Sequence, residues 1–287
     1  MYFKPKYRNA VWATSIAIGL LIIVSPILTK TYWPQKPYLI PLDIKVNNTM
    51  MLGFIIMLVF PAFVEMNNIG WKNAIDKNVP RLLMDISEAV RSGVTLPEAI
   101  EKASKRDYGP ISKEMQHSVA MLMMGSTWAE AMNSLAKRLN RPSATRLSAI
   151  LIEAHETGGK LMDMLNTSVD LLTSLEEFKE EQRTNAKPYM SVVYMATLIF
   201  LLITFVMIKQ LFTPLCLSAS TAGSKLTSGI LDIKYYCSVL YWAAAIESLF
   251  GGLIAGKIGD GFMTGGLKHS LILLLITFVV FNVMGVI

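Results

Sequence analysis

The chain has 287 residues, of which 53% are hydrophobic and 17% charged, with a mean hydropathy of +0.44. That is too apolar for a water-soluble globule, and the apolar residues gather in blocks near the ~20 residues that cross a bilayer as a helix. The formal charge of +6 does not point to nucleic acid, because residues 65–187 hold 16 Lys and Arg against 17 Asp and Glu. The excess lies at the edges of apolar blocks, where topology signals and lipid headgroup contacts belong. Two cysteines, Cys216 and Cys237, and three scattered histidines, His117, His155 and His269, supply neither a disulfide framework nor a metal-ligand spacing.

In chain order, Lys4, Lys6 and Arg8 precede an apolar run over Ala10–Leu28. The run is longer than a signal-peptide core and lacks a small-x-small cleavage site, so it is read as a retained first span. A proline-rich loop follows. The second span covers Thr49–Val64, and Pro61 is expected to kink it. Amphipathic helices are then expected over 80–91, 96–106, 110–124, 128–139, 142–156 and 161–187, with Pro80, Pro110 and Pro142 in first turns. Six such helices with short loops make a compact bundle. Pro188 is expected to break the sixth. The third span is placed at Tyr189–Ile208, a polar loop at Gln210–Lys234, the fourth span at Tyr235–Gly256 and the fifth at Ser270–Ile287. The expected fold is an all-α polytopic membrane protein with about five transmembrane helices and one six-helix bundle. The domains are drawn at 1–65, 66–187 and 188–287.

Within the bundle one phrase recurs. Gly93-Val-Thr95-Leu-Pro-Glu98-Ala99-Ile100 and Gly125-Ser-Thr127-Trp-Ala-Glu130-Ala131-Met132 lie 32 residues apart, and a weaker copy starts at Gly158. In each of the first two, the Gly can close one helix in a left-handed conformation. The Thr-x-x-Glu capping box can then open the next. Met115, Met121, Met123, Met124 and Met132 fit either core packing or an adaptable binding surface, and core is the default.

Gly251-Gly-Leu-Ile-Ala-Gly256-Lys257 has the spacing of a phosphate-binding loop, but Ile258 stands where the magnesium ligand is needed and no strand precedes it. Nucleotide binding is rejected there. Ala244, Ser248, Gly252 and Gly256 recur every four residues in the fourth span, leaving a small face that lets another helix approach closely. Glu247 sits beside it near mid-span, where a carboxylate must be protonated, paired or wet. Three readings stay open for it: contact with a partner in the membrane, a proton relay, or a hydrogen bond within the helices. Lys102, Lys105 and Arg106 form one basic cluster, and Lys137, Arg138, Arg141 and Arg146 another; each is a solvated surface or a face for an acidic partner or anionic lipid. Cys216 and Cys237 fall on the same expected side and have the chance to pair. Asn47-Asn-Thr49 is a glycosylation pattern abutting a span.

The stretches SGVTLPEAIEKAS, GSTWAEAMNSLAKR and EAHETGGKLMDML make residues 80–172 resemble the helical cytoplasmic domain of type II secretion F proteins. The last matches the family's Glu-x-x-Gly junction at Glu156 with Gly158 or Gly159, although His155 departs from the expected acid. GGLIAGKIGDGFMTGGLKHS is similar to archaeal members. Bacterial members usually carry two copies of the domain and this chain has one, which implies pairing as a homodimer or with a paralogue.

The resemblance implies a non-enzymatic membrane platform without cofactor or metal, placed between a hexameric secretion ATPase and pilin transmembrane helices. On that reading Arg91, Arg138, Arg141 and Glu156 meet the ATPase. Ala244, Glu247, Ser248, Gly252 and Gly256 meet the pilin. The bundle is expected in the cytoplasm and the C-terminus outside; short-loop charges, five against six, do not decide it. The rival reading is an ion-coupled transporter using Glu247, which requires inverted repeats that the spans do not show.

Overall fold

The computed structural model describes residues 5–32, 40–157, 161–214 and 233–283. Nine α-helices and no strand occur among them. They are α1 (Pro5–Leu28), α2 (Ile44–Arg91), α3 (Leu96–Ser104), α4 (Pro110–Met123), α5 (Trp128–Leu139), α6 (Pro142–Thr157), α7 (Leu161–Val206), α8 (Ile233–Asp260) and α9 (Gly266–Val283). A π-helical turn, Met207–Phe212, prolongs α7. Five helices, α1, α2, α7, α8 and α9, are long and apolar enough to cross a membrane. Two compact units form, a helical bundle from Asn67–Thr184 and a membrane unit from the described residues before and after it. Helices α2 and α7 contribute to both.

Neither the helix start expected at Pro80 nor the break expected at Pro188 is present, and Pro61, where a kink is expected, lies inside a helix. The second span and the first bundle helix are one helix of 48 residues, about 72 Å at 1.5 Å per residue, and Pro61 and Pro80 lie inside it. Pro188 lies inside the 46-residue α7. A proline in a helix frees the carbonyl four residues earlier, and the interruption is tolerated when another donor reaches that oxygen. At Pro61 the freed carbonyl is that of Met57, and Ser15 Oγ of α1 lies 3.0 Å from it. At Pro26 the freed carbonyl is that of Ile22, and Ser25 Oγ donates to it at 2.8 Å. Close approach makes the first contact possible: a Cβ on Gly19 would sit 2.6 Å from Met57 Cβ.

The repeated phrase marks two helix junctions of the same construction. Gly93 and Gly125 are left-handed at φ 91° and 90°. Each is flanked by the paired hydrogen bonds of a Schellman cap, Val94 N to Ala89 O with Gly93 N to Val90 O, and Ser126 N to Met121 O with Gly125 N to Leu122 O. The likeness continues to Pro110 and Pro142, again 32 residues apart, which open α4 and α6. The capping boxes differ. Thr127 and Glu130 form theirs reciprocally at 3.3 and 3.0 Å, and that backbone contact holds the Glu130 carboxyl below its ordinary range. Thr95 makes no side-chain cap, and the Glu98 carboxylate pairs with Lys102 at 2.9 Å. The third copy, at Gly158 and Gly159, lies outside the described residues, as does Cys216.

The bundle core is continuous from Ile75 to Leu172 and includes Leu82, Leu83, Ile86, Ile100, Met115, Met132, Leu135, Leu147 and Leu151. Met115 and Met132 are thus core, whereas Met123 and Met124 are exposed. In the membrane unit Asn47 is fully buried in α2. Its amide donates to Pro41 O at 3.1 Å and Ser238 Oγ at 3.0 Å, and its oxygen accepts from Trp242 Nε1 at 3.0 Å. A side chain so enclosed has no room for a glycan.

Ser15→Ala should lower the stability of the membrane unit by about 1 kcal/mol in detergent unfolding. In a Pro61→Ala background, where residue 61 again supplies its own N–H, the same change should cost much less.

Candidate functional site

The charged residues of the bundle are largely spent on one another. Asp85 of α2 accepts from Tyr108 Oη at 2.5 Å and Arg106 Nη1 at 3.0 Å. Tyr108 is buried, and burial together with the Asp85 hydrogen bond pushes its phenol up to about 12, so it serves as a neutral donor. Asp76, 5% exposed, accepts from Arg141 Nε at 3.2 Å and from Arg141 Nη2. Ser143 Oγ donates to it at 2.5 Å, and Lys179 Nζ stands 3.7 Å away. Two carboxylates on α2 therefore pin the α3–α4 and α5–α6 turns. Lys105 pairs with Glu101 at 2.8 Å, and that hydrogen bond holds the Glu101 carboxyl below its ordinary range.

The four residues expected at the ATPase side do not form one patch. Arg141 is bound to Asp76 and is mostly enclosed. Arg138 pairs with Glu114 and stays about half exposed. Arg91, exposed at the C-terminus of α2, donates to Asn166 Oδ1 at 2.8 Å. Glu156 is exposed near the C-terminus of α6. The pairing of Arg138 with Glu114, and of Ser148 Oγ with Met132 O at 2.7 Å, makes α4, α5 and α6 antiparallel. Glu156 therefore lies at the opposite end of α6 from the turn that carries Arg138 and Arg141. Sequence reading missed Asp76, Asp85 and Tyr108, which hold these cations.

In the membrane unit the small face of α8 is filled by α9 of the same chain. Ala244 and Ser248 are fully buried, and Ser248 Oγ lies 2.7 Å from Thr277 Oγ1. A Cβ on Gly252 would stand 2.1 Å from Ser270 N, and one on Gly256 2.0 Å from Gly266 Cα. The stripe expected to receive a foreign helix is thus occupied from within, since a small face close to a partner segment in sequence packs there first. Glu247 projects off that stripe, and its Oε2 is buried with no hydrogen-bond partner. Beside it runs an outward row, Ile246, Phe250 and Ile254, each more than half exposed. The Gly251–Lys257 stretch is helix interior, with no loop to cradle a phosphate.

Residues 82–208, from within α2 to the π turn after α7, match the family described as type II secretion system (T2SS), protein F. Those residues are similar to a type II secretion F domain. An uncharacterized protein of Methanocaldococcus jannaschii is 25% identical over 211 residues, which are 74% of this chain and 34% of that protein. The chain spans about a third of the length of this curated relative. No solved structure matches. Secretion F proteins lie in the membrane and act in type II secretion and pilus assembly, in general with secretion ATPases and pilins. The five candidate spans and the family match together support a multi-pass membrane protein.

Within the bundle, Asp76→Asn should destabilise the fold by about 3–5 kcal/mol, because Arg141 is left without its carboxylate. Adding Arg141→Met should recover part of the loss in thermal unfolding. In the membrane unit, Gly256→Leu should force α8 from α9 and lower the unfolding temperature more than Phe250→Leu on the outward row.

Proposed function

We propose that this chain is a non-enzymatic platform that couples a hexameric cytoplasmic secretion ATPase to assembly of a type IV pilus-like filament, whether pilus, archaellum or type II secretion system. The observation that carries the reading is the secretion F match over residues 82–208, whose family consists of non-catalytic platform proteins. In this reading the bundle is cytoplasmic, the C-terminus is outside, and a second copy or paralogue completes the platform. Helices α2 and α7 are unbroken where the chain passes between span and bundle.

Arg91, Arg138 and Glu156 are the proposed ATPase contacts; Arg141, bound to Asp76, sets the turn instead. On the pilin side Glu247 offers an unpartnered carboxylate oxygen beside the exposed row Ile246, Phe250 and Ile254. The small residues Ala244, Ser248, Gly252 and Gly256 hold α8 against α9 and so fix where Glu247 points. A transmembrane helix with a hydrogen-bond donor at that depth would satisfy the carboxylate, where an unmade bond is costly.

Arg91→Glu combined with Glu156→Lys should weaken co-purification of the ATPase about tenfold, a loss of about 1.4 kcal/mol. Glu247→Gln should change filament number counted by electron microscopy and leave the bundle folded. Unaltered filaments together with abolished ion-coupled uptake would favour a transporter and overturn the platform.

A further inference from the structure

We infer that the α5–α6 turn is a docking surface for an acidic peptide segment of a partner protein. The inference takes from the platform reading only that the bundle meets another protein. A hollow of 730 Å³ lies there, lined by Asn133, Lys137, Asn140, Arg141, Thr145 and Arg146 among others. Five of these six residues are exposed, and Arg141 is partly so.

The two copies of the 32-residue phrase provide an internal comparison. In the first copy the turn is neutralised: Lys105 is paired with Glu101 and Arg106 with Asp85, and the helix that follows carries an acid, Glu114. The second copy keeps the cations and loses the acids. Asn133 stands where the first copy has Glu101, and Arg146 where it has Glu114. Arg138 and Arg141 draw on Glu114 and Asp76 from elsewhere in the bundle. Lys137 and Arg146 are left with no carboxylate within ion-pair distance among the described residues. Two cations on adjacent helices, on either side of an open hollow, are the complement of carboxylates carried by an extended segment. The amides of Asn133 and Asn140 also line the hollow, and several separate polar groups suit a peptide backbone better than one compact anion.

The purified full-length chain in neutral detergent, titrated with fluorescein-labelled oligoglutamate at low salt and read by anisotropy, tests this. Wild type should bind, and Lys137→Glu with Arg146→Glu should weaken binding about tenfold or more. Asn133→Glu, which rebuilds the pairing of the first copy, should weaken it about threefold, and Lys105→Ala should leave it unchanged. Matching thermal unfolding among the variants keeps the comparison clean. No binding by wild type, or equal binding by all variants, overturns the inference. So does binding of phosphatidylglycerol vesicles through Lys137 and Arg146 without binding of the peptide. A chain that takes the peptide through these residues yet never co-purifies with an ATPase would sink the platform reading and leave this one standing.

Discussion

A carboxylate taken out of water must recover its lost hydration from fixed donors, or the fold that buries it will not persist. Asp76 meets that demand with three residues from three places in the chain: Arg141 at the end of the α5–α6 turn, Ser143 in the first turn of α6 and Lys179 on α7. Moving any one of these elements withdraws donors from the same oxygens, so their positions are coupled. Asp85 repeats the device nine residues along α2, holding Tyr108 and Arg106. The apolar core makes the bundle compact. These two carboxylates fix which turn sits where along α2, a matter that hydrophobic burial, being non-directional, does not decide.

The membrane unit is held by other means, because lipid offers helices no hydrophobic reason to associate. Close packing takes that role between α8 and α9, where Gly252 and Gly256 admit the backbone of Ser270 and Gly266. Backbone satisfaction takes it between α1 and α2, where Ser15 reaches the carbonyl that Pro61 leaves bare. The buried amide of Asn47 joins α2 to α8 through Ser238 and Trp242. Each contact uses groups that would be costly to leave unpaired in hydrocarbon.

Much of this was legible in the chain, and the parts that were not share a cause. The glycines at 93 and 125 were readable because a left-handed cap is a local event, settled within six residues. At Thr95 the box is not formed, and the Glu98 carboxylate pairs with Lys102 instead. Pro80 read as a helix start and Pro188 as a break because a proline's cost is local, while its relief can be distant: at Pro61 it comes from Ser15, about 40 residues away. The basic clusters looked like open surface for the same reason: the acid that holds Arg138 is 24 residues back and the one that holds Arg141 is 65 back. The small face of the fourth span was visible as a pattern, but a pattern of small residues does not name the helix that fills it.

The two 32-residue copies show how one scaffold divides structural and recognition duties. Helix-closing glycine, threonine at the next N-cap, buried alanine at 99 and 131 and proline at the following helix start are shared, since each answers a backbone or packing requirement common to both junctions. The side chains that point outward obey no such requirement, and there the copies part. At the first, Glu101 and Asp85 match Lys105 and Arg106 inside the bundle. At the second, asparagine in the place of Glu101 and arginine in that of Glu114 leave positive charge unmatched, which raises the self-energy of the isolated bundle without improving its packing. Backbone and packing demands thus fix what the two junctions share, and the outward positions are where their charge differs.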